Sequence, residues 1–191
     1  FLNVRQSASG MAWRSRLGPA EENVALAMAQ CHGIDDLVAR VLAGRGVSLQ
    51  DAERFLQPTI RDLMPDPSSL TAMDAAAERI AAAIVNGERV AIFGDYDVDG
   101  AVSSALVSRY LNHFGVPHEI YIPDRIFEGY GPNPAAMRDL RGRGAGLIVT
   151  VDCGSNSAEA IAAAVGAGAD VVVLDHHQML AEPPAGATAV V

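Results

Sequence analysis

The sequence predicts an α/β protein in which a doubly wound parallel sheet follows a helical N-terminal segment. From residue 88 onward, short apolar runs alternate with helical patterns, which is typical of a parallel sheet covered on both faces. Before residue 88 the apolar residues recur only at helical spacing. We therefore expect residues 1–87 to form the helical segment and residues 88–191 to form the sheet domain, without its final part.

The helical segment contains four predicted helices separated by glycine and proline. They cover residues 20–32, 34–43, 48–55 and 71–86. Ser48 and Asp51 have the spacing of a capping box at the start of the third helix, although Glu closes such a box more often than Asp. These Ala-rich helices contain no pattern of catalytic residues, so we expect them to have a structural role.

The sheet domain contains four predicted strands, with a helix after each of the first three. The strands cover residues 89–93, 118–122, 145–151 and 170–174, and the helices cover residues 101–114, 134–141 and 157–167. Parallel strands need crossover connections, which helices supply. The final Ala-Thr-Ala-Val-Val resembles a further strand, and the chain begins with Phe rather than Met. We expect a piece of a longer protein.

Composition and charge exclude several classes of protein. Half of the 191 residues are hydrophobic, which excludes global disorder, and no apolar run is long enough to span a bilayer. Cys31 and Cys153 form no CxxC pair, which excludes a cysteine zinc site and favours the cytoplasm. The net charge of −9 argues against coating duplex DNA by counterion release alone, but bound divalent cations would reverse the charge locally.

Each predicted strand ends next to acidic residues. The carboxyl ends of parallel strands share one edge of a sheet, so these residues are expected to meet there. Clustered carboxylates repel one another unless a cation lies among them, and carboxylate with imidazole suits Mn²⁺ or Mg²⁺. Two such ions about 4 Å apart bind the attacking and leaving oxygens of a phosphoryl transfer. The residues are Asp95, Asp97, Asp99, Asp124, Asp152, Asp175, His176 and His177.

Other interpretations apply to parts of this pattern. The run from Asp95 to Gly100 also matches the start of an EF-hand calcium loop. Position twelve of that loop would be Leu106, where Glu is required, so this alternative is disfavoured. Asp152 and Asp175 could each serve only as a turn or helix-capping residue, and both alternatives stay open.

The two adjacent histidines follow a buried strand. Because neighbouring side chains there point in different directions, at least one of His176 and His177 is expected to reach the crevice as a ligand. Cys153 has no activating base beside it in the sequence, so we expect a packing residue rather than a nucleophile.

Several groups near the same edge could bind a phosphate. Ser103 and Ser104 lie in a helix whose N-terminus is expected to point at the crevice. Arg125 could pair bidentately with a phosphate oxygen, or form a salt bridge with Asp124. Tyr130 could stack on a base or pack its own loop.

These motifs resemble those of the DHH phosphoesterase superfamily. The motifs GDYDVDG, IPDR, EGYGPN, VDCG and DHH occur in that order and resemble in particular the RecJ family of bacterial single-strand-specific DNA exonucleases. The resemblance covers nearly the whole chain. It implies degradation of single-stranded DNA from 5′ to 3′ in recombination and repair, with Mn²⁺ or Mg²⁺ as cofactor. A helicase and a single-strand-binding protein are implied partners.

The resemblance also implies roles for individual residues. The implied metal ligands are acids of the first and third motifs and one histidine: Asp95, Asp97, Asp99, Asp152, which would bridge the two metals, and His176. The residues implied to take part in catalysis are Asp97, Asp99, Asp152, His176 and His177. Those implied to contact the substrate are Ser103, Arg125 and His177.

The sequence also differs from the family. Family members have a further aspartate ligand, a second domain and an OB-fold beyond the DHH motif, and this sequence contains none of them. We therefore expect residues 1–191 alone to bind metal weakly and to cut DNA poorly or not at all.

Other functions of the same superfamily are the main alternatives. Oligoribonucleases and other small-substrate phosphodiesterases begin the first motif with a histidine, whereas Phe93 stands four residues before Asp97 here, which favours the RecJ branch. A non-catalytic nucleic-acid-binding scaffold is a second alternative. A dinucleotide-binding Rossmann domain is disfavoured because no GxGxxG follows the first strand.

Overall fold

The computed structural model describes residues 3–179 and 182–191. The chain forms two compact units, one up to Pro65 and one from Asp66 onward. The second unit begins before residue 88 because the helix that precedes the first strand packs on the sheet. Residue 88 therefore marks the start of the strand–helix alternation and not of the compact unit. Within the described residues, no helix is both long and apolar enough to cross a membrane.

From residue 3 onward, the first unit contains four helices: α1 (Pro19–His32), α2 (Asp36–Gly44), α3 (Ala52–Leu56) and α4 (Ile60–Leu63). The third helix is shorter than residues 48–55, the range that the sequence predicts. Ser48 Oγ donates to Asp51 Oδ2 at 2.6 Å and accepts from the Asp51 N–H at 3.2 Å, and these bonds hold a turn before the helix. The buried residues of α1, α2 and α3 form a separate core: Ala25, Met28, Ala39, Leu42, Ala43 and Ala52.

The second unit is a five-stranded parallel sheet with helices on both faces, which confirms the predicted fold class. Its strand order is β2-β1-β3-β4-β5, and all neighbouring strands are parallel. The elements are α5 (Met73–Asn86), β1 (Val90–Gly94), α6 (Val98–His113), β2 (His118–Tyr121), α7 (Pro134–Gly142), β3 (Leu147–Val151), α8 (Ala158–Gly166), β4 (Asp170–Leu174) and β5 (Ala189–Val190). A short 3₁₀ turn, Pro67–Ser69, precedes α5.

Alternate residues of each strand pack against different helix layers. Ala91 and Phe93 of β1 lie in a core with residues of α7 and α8. Val90 and Ile92 lie in the opposite core, with residues of α5 and α6. All four side chains are almost fully buried, and burying a side chain as large as Val90, Ile92 or Phe93 contributes about 1.5–3 kcal/mol. The sheet is therefore covered by helices on both faces. A ligand can reach it at the carboxyl ends of its strands.

Helix α6 begins at Val98, three residues before its predicted start. The Asp97 carboxylate caps the helix, because Asp97 Oδ1 accepts the N–H groups of Asp99 at 2.9 Å and Gly100 at 3.1 Å. The acidic motif after β1 thus forms both a loop and the first turn of a helix.

Candidate metal centre

The ends of β1 and β3 lie at the topological switch point of the sheet, where the strand order reverses. From β1 the chain crosses to β2 on one side and then returns to β3 on the other side of β1. In open α/β sheets the crevice at such a switch point is where ligands bind. Asp95 and Asp97 follow β1, and Asp152 follows β3, so three acids meet at this crevice.

The three acids form one close group. A carboxylate oxygen of each of Asp95, Asp97 and Asp152 lies within 4.8 Å of the others. Burial raises the pKa of Asp152, and the Asp97 carboxylate beside it raises that pKa further. The hydrogen bond from the Gly100 N–H lowers the pKa of Asp97. One acid of the pair is thus disposed to keep a proton and the other to lose it.

A divalent cation fits this group. Asp152 Oδ2 is buried, and no group in residues 3–179 or 182–191 donates a hydrogen bond to it. A buried acceptor without a partner is unfavourable, and so is a cluster of like charges. A cation held between the carboxylates would satisfy the oxygen and neutralise the charge.

The backbone at Asp152 has a left-handed conformation, with φ of 60°. Such a φ is uncommon for residues other than glycine, and Asp and Asn adopt it more readily than others. The Asp152 N–H donates to the Leu174 carbonyl at 2.9 Å, which ties the end of β3 to the end of β4. The conformation therefore places Asp152 close to the residues that follow β4.

Those residues supply the histidines. His176 Nε2 lies 3.1 Å from Asp152 Oδ1. Potential ligand atoms of Asp152, His176 and His177 lie within 4.8 Å of one another. Asp152 thus belongs both to the carboxylate group and to this histidine group. A residue shared in this way can bridge two metal sites.

Asp175 positions His177, a role that the sequence did not distinguish from that of a loop residue. The Asp175 side chain is only 2% exposed, and its Oδ1 lies 2.7 Å from His177 Nδ1. Burial alone would raise the pKa of Asp175, but hydrogen bonds from the backbone N–H groups of Ser155 and His177 lower it overall. Asp175 in turn raises the pKa of His177. Its position directly before the histidine pair is the signal that could have indicated this role.

The structure places the remaining candidate residues around the same crevice. Asp99 and Ser103 line a cavity of about 430 Å³ together with Asp152 and His176, although Asp99 belongs to neither ligand group. Ser104 is buried beneath this surface. Cys153 is fully buried, and burial raises the pKa of its thiol, as expected of a packing residue.

Arg125 is not paired with Asp124 by a salt bridge. The Asp124 carboxylate instead accepts the N–H groups of Ile126 and Phe127. The Arg125 guanidinium lies over the Tyr96 ring, 5.0 Å from its centroid. Tyr130 directs its hydroxyl towards His177 Nδ1, at 3.3 Å. Burial raises the pKa of this hydroxyl, so it keeps its proton.

Together, the fold and the site define a class: a doubly wound α/β protein whose carboxylate and histidine groups at the carboxyl edge of its sheet could hold a metal. Residues 89–191 match the family described as DHH family, N-terminal domain. The chain therefore belongs to the DHH family.

Curated relatives extend the likeness beyond this domain. A Bacillus subtilis protein named single-stranded-DNA-specific exonuclease RecJ is 37% identical over 177 residues, which is 93% of this chain and 22% of the relative. The Escherichia coli protein of the same name is 36% identical over 143 residues, which is 74% of this chain and 24% of the relative. The chain thus spans between a fifth and a quarter of the length of these relatives.

Solved structures of similar proteins agree with the fold. A crystal structure described as exonuclease RecJ bound to manganese is 33% identical, with a TM-score of 0.55, and covers 61% of this chain and 30% of that one. A Thermus thermophilus RecJ structure in complex with Mn²⁺ superimposes with a TM-score of 0.68 over 91% of this chain and 24% of that one. The latter is 24% identical and supports the fold alone.

Proposed function

We propose that this chain provides the metal-dependent catalytic region of a hydrolase that degrades single-stranded DNA from its 5′ end. The observation that carries the proposal is Asp152, whose carboxylate is shared between the acidic group and the histidine group at the switch point. The proposal also draws on relatives named single-stranded-DNA-specific exonuclease. Residues 88–191 would carry the catalytic groups and residues 1–87 would support them.

The residues around the crevice have separate tasks in this proposal. Mn²⁺ or Mg²⁺ supplies Lewis-acid chemistry and a nucleophile at neutral pH when it is bound. Asp175 holds the Nδ1 side of His177, which fixes the orientation of that ring. The ligands that would hold the metal are Asp95, Asp97, Asp99, Asp152 and His176, and the groups that would act on the bound substrate include His177.

Two further residues would bind the phosphates of the strand. Ser103 faces the cavity from the first turns of α6, where a hydroxyl and a helix N-terminus both favour an anion. The Arg125 guanidinium forms no ion pair with a carboxylate among the described residues, so its donors are free to pair with a phosphate.

The test is Mn²⁺-dependent digestion, by the protein at its natural full length, of a long single strand labelled at its 5′ end. We expect release of the label as a mononucleotide. Asp152→Asn should lower the rate by at least about 100-fold, because changing a residue that only orients a metal ligand already costs about 10–100-fold. Asn is preferred to Ala at this position because it tolerates the φ of 60°. Asp139→Asn, which alters an exposed carboxylate of α7, is the matched control and should leave the rate unchanged.

Two results of this assay would contradict the proposal. Cleavage by Asp152→Asn at the normal rate would contradict the proposed centre. No cleavage by the unaltered protein, with Mn²⁺ bound, would favour a small-substrate phosphodiesterase or a scaffold. Residues 1–191 alone should cleave far more slowly than the protein at its natural full length, because the family resemblance assigns a further metal ligand outside this range.

The cellular setting is also part of the proposal. We infer that the protein acts in the cytoplasm and contacts other repair or replication proteins, such as a helicase and a single-strand-binding protein. Cys31 and Cys153 are both free thiols, which suits a reducing compartment. The partners are inferred from the family resemblance, and co-purification of tagged protein with each named partner would test them.

A further inference from the structure

The loop after β2 projects two large apolar side chains into solvent. Ile126 is 85% exposed and Phe127 is 86% exposed, and no other large apolar side chain among the described residues is more exposed than Phe127. The fold therefore gains little hydrophobic stabilisation from Phe127, and its ring remains available to a ligand.

This loop is held in place by its own hydrogen bonds. Asp124 Oδ1 accepts the N–H groups of Ile126 at 2.8 Å and Phe127 at 3.1 Å. Glu128 Oε2 accepts the Asp124 N–H at 2.7 Å, while the Tyr121 hydroxyl donates to Glu128 Oε1. The backbone under Phe127 is therefore ordered before any ligand arrives. A preorganised group loses little conformational entropy on binding.

A row of one guanidinium and three rings connects Arg125 of this loop to the histidine group. Arg125, two residues before Phe127, lies over the Tyr96 ring at 5.0 Å. The Tyr96 and Tyr130 rings meet edge to face at 6.3 Å, and the Tyr130 and His177 rings do so at 6.0 Å. This row ends at Arg125, and Phe127 follows Arg125 by two residues in the same loop.

We propose that Phe127 stacks on a base of the bound strand and thereby helps to select single-stranded over duplex nucleic acid, an inference that rests on the function proposed above. In a single strand the faces of the bases are accessible, whereas in a duplex they are covered by neighbouring base pairs. Stacking on an aromatic ring tolerates every base, so it would select strandedness without reading sequence. Arg125 is placed to contact a phosphate beside the stacked base.

A binding experiment tests the stacking contact without cleavage. Phosphorothioate oligothymidylate, whose linkages resist hydrolysis, is compared in the presence of Mn²⁺ with a phosphorothioate strand of equal length that lacks bases. Phe127→Ala should weaken binding of oligothymidylate about tenfold, since a stacked base contributes about 1–3 kcal/mol. It should leave binding of the abasic strand unchanged. Phe127→Trp should retain the affinity, and its fluorescence should be quenched by oligothymidylate in a Trp13→Phe background.

The matched control is Phe114→Ala. Phe114 is also an exposed aromatic, but it follows the far end of α6, whose first turn lies at the metal centre. This substitution should change binding of neither strand. Equal weakening of both strands by Phe127→Ala, or no weakening of either, would overturn the stacking role.

Cleavage kinetics separate this inference from the proposed function. With an unmodified single strand, Phe127→Ala should raise KM about tenfold and leave kcat unchanged, because the contact binds a base away from the reacting phosphate. Cleavage with an unchanged KM would overturn the role of Phe127 alone. If the unaltered protein neither binds nor cleaves single strands, the proposed function fails and this inference fails with it.

Discussion

Gly100 lies where the backbone of the acidic motif folds back on itself. A Cβ atom at this position would lie 2.4 Å from the Asp95 carbonyl oxygen, closer than non-bonded atoms approach. The neighbouring atoms belong to the backbone and cannot rotate away. Because Asp95 is a member of the carboxylate group, a side chain at residue 100 would displace part of the metal centre.

Replacing this glycine tests the coupling between backbone packing and metal binding. We expect Gly100→Ala to destabilise the protein by about 1–3 kcal/mol, as overpacking does, and to weaken Mn²⁺ binding. Gly142→Ala is the control, because a Cβ at this last residue of α7 meets no atom within 4 Å. Urea unfolding and Mn²⁺ titration measure both effects. Normal Mn²⁺ affinity in Gly100→Ala would show that the motif tolerates the displacement.

For individual residues, the sequence predicts which acids lie close together but not which groups each carboxylate contacts. Asp95, Asp97 and Asp152 meet because parallel strands end at one edge, a consequence of topology alone. Asp124 also follows a strand, yet its carboxylate accepts bonds from its own loop. The Asp175 carboxylate forms a hydrogen bond with the His177 ring. The direction of a side chain depends on loop dihedral angles, which no sequence periodicity encodes.

An ion-pair network attaches α5 to the sheet. Arg79 Nη2 lies 2.7 Å from Glu88 Oε2, just before β1, and Arg79 Nε lies 2.7 Å from Asp170 Oδ2, at the start of β4. The Arg79 side chain is 14% exposed, so its charge is partly shielded from water. The hydrogen bond from Arg79 lowers the pKa of Glu88. One arginine thus joins a helix to the beginnings of two elements of the sheet.

Arg79→Met should destabilise the protein by about 1–3 kcal/mol, because it leaves two carboxylates without their cation. The folded-state pKa of Glu88 lies below its ordinary value of about 4.3, so this stabilisation is complete above that value and is lost as the pH falls through the lowered pKa. Urea unfolding across this pH range should show the difference between variant and parent shrink in acid. A difference independent of pH would contradict the role of Glu88.

The control for this network is Arg40→Met. Arg40 pairs with Asp36 one turn away on the exposed face of α2, where solvent weakens the interaction. This substitution should change stability little at any pH.

The strands and the longer helices lie close to their predicted ranges, since strand periods and helix spacing are local. The short helix α4 has no predicted counterpart, and α3 begins four residues after its predicted start. The start of α6 was missed because an Asp97 side chain, and not the apolar pattern, begins that helix.

The two compact units have separate cores, so damage to one should spare the chemistry of the other. Met28 is fully buried in the core of the first unit, and Met137 is fully buried in the sheet unit. We expect Met28→Ala to destabilise the first unit by about 2–5 kcal/mol and to leave Mn²⁺ affinity unchanged. Met137→Ala should instead lower the stability of the unit that Mn²⁺ protects.

Thermal unfolding with and without Mn²⁺ measures this difference. Mn²⁺ should shift only the transition that Met137→Ala lowers, since a ligand stabilises the unit that binds it. If Met28→Ala weakens Mn²⁺ binding, or if Mn²⁺ also shifts the transition that Met28→Ala lowers, the units do not act separately.

The sequence predicts the fold class of the whole molecule. Alternating strands and helices indicate a parallel sheet, which the structure confirms. The strand order depends on which edge each crossover reaches, and that is decided by packing between distant residues. The sequence pattern changes at residue 88, whereas the second compact unit begins at Asp66. The difference arises because α5 packs on the sheet, and local periodicity does not encode such packing.

Asp152 combines three features that each oppose folding: a left-handed backbone, burial, and a neighbouring carboxylate. An amide or a glycine at this position would relieve the repulsion or the backbone strain. Stability and the proposed metal binding therefore make opposite demands on one residue. Selection for heat resistance alone would discard the side chain that joins the two ligand groups, so any effort to make this protein more robust must hold residue 152 fixed.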